Sequence, residues 1–189
     1  MKVVAFYHRQ DTAMQLPPGV ELIADSAIVW PGHPLFLPDF DDAWVGKVML
    51  AFRISRLGKG VAVKFAPRYF DAMTLAMLPQ SVALTEELAK EGRPTGLCGC
   101  FDGAVAMGKW IPLPAADGPV TIDVDGTSDV VEQPLKWACE AIAALSHYAT
   151  LKTGDILMPV ALVPQVALRR KSTFTAGIDG EKLIELHLP

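Results

Sequence analysis

Leu145-Ser146-His147-Tyr148-Ala149-Thr150-Leu151-Lys152-Thr153-Gly154-Asp155 joins the clearest helix of the chain to one of its clearest strands. Upstream of it, Pro134 suits a first helical position, where its missing N–H would have no helical partner anyway. Leu135, Ala138, Cys139, Ile142 and Leu145 then recur at helical spacing, which predicts a helix over 134–148 with that stripe buried. Downstream of the Gly154-Asp155 turn, the apolar run 155–162 predicts a buried strand.

Working outward, fifteen prolines and fifteen glycines cut the rest of the chain into short elements. Short apolar runs between turn residues predict further strands at 3–6, 19–23, 27–30, 45–55, 73–78, 120–124 and 182–187. A second helix is predicted over 81–91: Ser81 can cap the free N–H groups, Leu84 and Leu88 share a face, and Gly92 with Pro94 closes it. A single helical turn is predicted at 67–71. The sum is an α+β chain, mainly β, with two to three short helices. At 189 residues it is long enough for one buried core and short for two, so a single domain over 1–189 is expected.

Composition removes several function classes. A formal net charge of -4 argues against a nucleic-acid surface, which needs a basic stripe; Arg169-Arg170-Lys171 is the largest basic cluster and reads as a solvated loop or strand end. No apolar run approaches the roughly 18 residues of a membrane span, and the start Met1-Lys2-Val3-Val4-Ala5-Phe6 is too short a run for a signal peptide. Three cysteines, an odd number, fit free thiols in a reducing interior, so a cytoplasmic location is expected. Cys98-Gly99-Cys100 lacks the further ligands a structural zinc needs and reads as reduced thiols in a turn. His8, His33, His147 and His187 are scattered, without metal-ligand spacing. No nucleophile elbow, P-loop or dinucleotide fingerprint is present.

Several segments, in this order, resemble the fumarylacetoacetate hydrolase family in its short bacterial form. They are Ala24-Asp25-Ser26-Ala27-Ile28; Pro38-Asp39-Phe40; the strand 45–54 with Gly58-Lys59; Lys64-Phe65-Ala66-Pro67-Arg68-Tyr69-Phe70-Asp71; Phe101-Asp102-Gly103 with Trp110-Ile111-Pro112; Val124-Asp125-Gly126; and the helix-end stretch with Thr150-Leu151 and Gly154-Asp155 quoted above. The resemblance spans about residues 22 to 189. It implies a mixed β-roll or sandwich, a dimer, and Mg²⁺ or Mn²⁺ held by three carboxylates for C–C hydrolysis, decarboxylation or tautomerisation of oxo acids. A hard dication held by oxygen ligands stabilises the developing enolate, and a Glu-x-Glu on one strand aims two carboxylates at the same ion.

At the polar positions the chain departs from that pattern. The resemblance puts Lys47 and Met49 where Glu-x-Glu belongs, Leu78 at the aspartate ligand, and Val82 where an arginine is frequent. It puts Gly99 at a lysine, and Pro159-Val160-Ala161-Leu162 at the substrate-binding Thr-Gly-Thr-Pro. The family's amino-terminal Asn-Tyr-x-x-His lid has no counterpart, and the chain is several residues shorter there. The expectation is therefore a non-catalytic relative with no metal cofactor, a homodimer or the partner of an active paralogue. Lys47 is expected either to snorkel to solvent or to contact a small anionic ligand. The alternative is a metal-dependent hydrolase, decarboxylase or tautomerase with relocated ligands, drawn from Asp39, Asp41, Asp42, Asp71 and Asp102; the same acids read equally as turn and cap residues.

Overall fold

The computed structural model describes residues 1–7, 14, 16–162 and 165–189. In chain order the elements are β1 (Val3–Phe6), β2 (Val20–Ile23), β3 (Ile28–Val29), β4 (Trp44–Ile54), β5 (Phe70–Ser81), α1 (Val82–Lys90), β6 (Val105–Met107), β7 (Ile111–Pro112), β8 (Val120–Val124), β9 (Thr127–Val131), α2 (Pro134–Tyr148), β10 (Ile156–Ala161), β11 (Val166–Leu168), β12 (Ser172–Ile178) and β13 (Glu181–Leu188). A nine-stranded sheet runs β2-β1-β10-β4-β5-β6-β3, with β11 paired to β4 and β7 to β5; a four-stranded sheet runs β13-β12-β8-β9. The mainly-β expectation holds. Among the described residues no helix is long and apolar enough to cross a membrane.

The period of two divides the large sheet into two apolar faces. On one, Val4, Leu50, Phe52, Leu75 and Met77 pack against Ala138, Ile142 and Leu145 of α2 and against Ile122, Phe174 and Leu183 of the small sheet. Fully burying a side chain such as Ile142 contributes about 1.5–3 kcal/mol. The other face carries Val3, Ala5, Ile23, Met49, Ala51, Ala76, Leu78, Val105, Met107 and Met158, which form a second cluster of their own. Met49 and Leu78, two of the positions singled out by the sequence resemblance, lie on this second face.

The helix-end stretch ties these parts together. Ser146 Oγ accepts the Val61 N–H (2.8 Å), and the Ser146 carbonyl accepts the Gly60 N–H (2.8 Å). Gly58 and Leu151 exchange N–H···O=C bonds of 3.1 and 2.8 Å, and Gly154 N–H donates to Ile54 O (2.8 Å). Asp155, 1% exposed, accepts the Lys2 N–H (2.8 Å) and the Lys152 N–H (2.8 Å) and pairs with the Lys2 ammonium (2.5 Å). Gly154 sits at φ +89, open to glycine and strained for other residues. One turn thereby fastens the helix end, β4 and the start of β1.

Two helices match the sequence closely. In α1, Ser81 Oγ accepts the Leu84 N–H (3.0 Å) as a true N-cap. In α2, Gln133 makes no side-chain cap; the distant Asp117 carboxylate instead accepts the Leu135 and Lys136 N–H groups (2.9 and 3.0 Å). The turn expected at 67–71 lies earlier, as a short helix over Val63–Arg68 with Pro67 inside it, because Phe70 already begins β5.

Candidate functional site

The antiparallel register of β4 and β5 puts Lys47 opposite Leu78 and Met49 opposite Ala76; on the other side of β4, Met49 faces Ala161 of β10. Lys47, Met49, Leu78 and Ala161 therefore form one contiguous patch on the second face of the large sheet. Met49 is 0% and Leu78 4% exposed, so the patch is packed apolar side chain, with Lys47 at its rim. Pro159 has no N–H to give, and the β10–β4 ladder slips between Leu157 and Val160. Val82 opens α1, half-buried.

Beside Lys47 stand two groups that sequence reasoning missed. Tyr7 follows β1, and its hydroxyl donates to Glu21 Oε2 of β2 at 2.7 Å. The Lys47 ammonium lies 4.8 Å from the centroid of the Tyr7 ring, a cation–π contact. Burial pushes the Lys47 amine below its ordinary pKa, and the nearby Glu21 charge works against that shift. Burial, followed by the hydrogen bond and charge of Glu21, pushes the Tyr7 phenol well above its ordinary range. Lys47 is thus half-buried at the rim of the patch, with the Glu21 carboxylate nearby. The signal was partial: the period of two turns Glu21 to the same face as buried Ile23, but its approach to Tyr7 depends on the antiparallel pairing of β1 with β2.

Gly99 closes the neighbouring turn. A Cβ there would lie 3.0 Å from both Glu21 Oε1 and Leu22 O, so glycine is what lets Glu21 and this loop approach. The Cys98 thiol is half-buried, 4.0 Å from Thr85 Oγ1, and held above its ordinary pKa chiefly by burial. Cys98, Cys100 and Cys139 are all free thiols.

The acids named as alternative ligands have other partners or stand in solvent. Asp41 accepts from Ser81 Oγ (2.5 Å) and the Ala43 and Ala83 N–H groups (2.9 and 3.0 Å), which hold its carboxyl below the usual range. Asp42 lies 3.7 Å from Arg170, whose guanidinium also donates to Pro38 O (2.9 Å), and Asp71 pairs with Arg53 at 2.9 Å. Asp39 and Asp102 are exposed. His33, His147 and His187 are exposed, and His8 lies outside the described residues. Among the described residues, no three His, Cys, Asp or Glu side chains form a group able to hold a metal ion.

The architecture is that of known structures. A protein of Yersinia pestis CO92 assigned to the fumarylacetoacetate hydrolase family superposes with a TM-score of 0.83 at 16% identity, covering 100% of this chain and 92% of that one. The fumarylpyruvate hydrolase of Pseudomonas aeruginosa, solved with Mn²⁺ and pyruvate, gives 0.83 at 18% identity, covering 100% and 90%. The 5-carboxymethyl-2-hydroxymuconate delta-isomerase of Mycobacterium smegmatis gives 0.81 at 19% identity, covering 98% and 75%. No protein-family model and no curated protein sequence matches the chain. The likeness establishes the fold: this chain has the fumarylacetoacetate hydrolase architecture, as its motif order implied.

Proposed function

We propose that the chain is a fumarylacetoacetate hydrolase-like protein that has given up the family's metal chemistry and serves as a non-catalytic binding or assembly protein. The observation that carries this is the contiguous patch of Lys47, Met49, Leu78 and Ala161 on one face. A hard dication needs several oxygen donors. An ammonium repels it, a thioether is a soft ligand, and isobutyl and methyl groups have no lone pair. The residues present do not fit Mg²⁺ or Mn²⁺.

Lys47 remains the proposed contact for a small anionic ligand, in competition with Glu21 for the same ammonium. Assembly as a homodimer or with a paralogous partner is proposed from exposed Phe36 and Phe40, side chains of the kind enriched at interfaces. A cytoplasmic location is proposed from the three free thiols.

Activity tests the main claim. Purified protein supplied with Mn²⁺ and a panel of oxo acids should give no turnover above Mn²⁺ alone; protein-dependent turnover contradicts it. A thermal-shift screen with oxo acids and dicarboxylates, run beside Lys47→Ala, tests the ligand: a rise in midpoint that the variant loses supports the Lys47 contact, and no rise with any ligand discards it.

A further inference from the structure

Away from the patch, a cavity of about 360 Å³ opens where the edge strands of the two sheets meet, between β3–β6 of the large sheet and β13 of the small one. That is within the size range of small-molecule sites, about 300–1,000 Å³. The two sheets come this close because residue 108 is glycine: a Cβ there would lie 2.7 Å from Thr74 Oγ1 and 3.0 Å from both Ile184 Cγ1 and Leu75 O.

Two backbone hydrogen bonds pin β13 on its outer edge, Lys109 N–H to Leu183 O and Leu35 N–H to His187 O, both 2.9 Å. The alternation of an edge strand turns the peptide N–H and C=O of Glu185, midway between them, the same way. The gap is closed at both ends, so it is too short for an added strand and sized for a small molecule. Trp30, 43% exposed, supplies one wall. The chain then turns back through Gly32 at φ +91, with the His33 N–H donating to Trp30 O (3.2 Å). Met107 and Ile184 add apolar surface. Lys182 is paired with Glu185 at 3.2 Å, and Lys109, which also lines the cavity, forms no ion pair among the described residues. Two lysines against one glutamate leave a single net positive charge.

We infer that this cavity binds a small planar carboxylate, whose acid group meets the Lys109 ammonium and the Glu185 peptide N–H while its flat body lies on the Trp30 indole. The site is independent of Lys47 and of the non-catalytic reading above. A monoanion matches the net charge, and an indole face favours a flat unsaturated ring over an aliphatic chain.

Isothermal titration of the full chain with benzoate, cinnamate and indole-3-carboxylate tests it, with benzamide as the uncharged control. At least one carboxylate should bind, and benzamide should bind about tenfold more weakly than benzoate, the effect of about 1.4 kcal/mol from one charge-assisted contact. Lys109→Met, at an exposed position, should weaken the carboxylate by a similar factor, and Trp30→Ala should weaken benzoate and benzamide together. Lys90→Met, at an exposed position at the end of α1, should leave all of these unchanged. Binding by none of the three carboxylates, equal binding of benzamide, or binding that survives Lys109→Met or is lost in Lys90→Met overturns the inference.

Discussion

Replacing Lys47 with Met isolates the electrostatics of the patch. The new side chain is of similar length and meets Leu78 across the ladder, so the stem's packing is kept. The loss is the contact with the Tyr7 ring, about 0.5–1 kcal/mol at a partly exposed site, and the attraction of Glu21, which solvent screens to under about 1 kcal/mol. The gain is release from holding an ammonium in a site that burial disfavours. Exchanging a buried ion for an apolar group of like volume ranges from neutral to about 1–4 kcal/mol stabilising, and the partial exposure of Lys47 selects the low end. A net gain of about 1 kcal/mol raises Tm by about 2–4 °C in a chain of this size. The pH dependence has a definite sign. Because the folded-state pKa is lowered, the amine loses its proton sooner in the native state than in the unfolded one. Above the folded value the unfolded chain binds more protons, so stability rises with pH and the penalty fades. The advantage of Lys47→Met should therefore be largest near neutrality and shrink toward the ordinary lysine pKa. Denaturant melts of both proteins across that range, with Lys47→Arg as a charged control, measure it. A variant less stable than the wild type at neutral pH, or an advantage that grows with pH, would rule out a burial penalty at Lys47.

Other perturbations test the surrounding structure. Asp155→Asn puts an amide NH₂ where a buried carboxylate meets three donors; a loss of about 3–5 kcal/mol should lower Tm by roughly 10 °C in calorimetry. Gly108→Ala drives a Cβ toward Thr74 and the Leu75 carbonyl and should cost about 1–3 kcal/mol in urea melts. Glu21→Gln removes the charge competing for Lys47, so any anionic ligand found at that rim should bind several-fold tighter by titration, while weaker binding contradicts Lys47 as its contact.

The helices were legible because their signals are local. Pro134 and the stripe ending at Leu145 define α2, and Ser81 caps α1 as its position suggested. Of the small sheet, β8 and β13 were legible and β9 and β12 were not. β9 is Thr-Ser-Asp-Val-Val and most of β12 is Ser, Thr, Ala and Gly, so their apolar alternation is faint and their pairing with β8 carries the information. β5 extends beyond its expected end through Pro79, which is tolerated because it lies past the β6 partners at Ala76 and Met77. At the site, the joint placement of Lys47, Met49 and Leu78 follows from the period of two once the register is known. Tyr7 and Glu21 required the β1–β2 pairing, and the cavity beside Trp30 is made by two sheets meeting, which no local pattern encodes.

An ammonium, a thioether and an isobutyl group offer no oxygen donor to a hard cation. Equilibrium dialysis of the purified chain against micromolar Mn²⁺, followed by elemental analysis, tests this most directly. Manganese at no more than trace occupancy is the predicted result, whereas one ion per chain retained at that free concentration would contradict it.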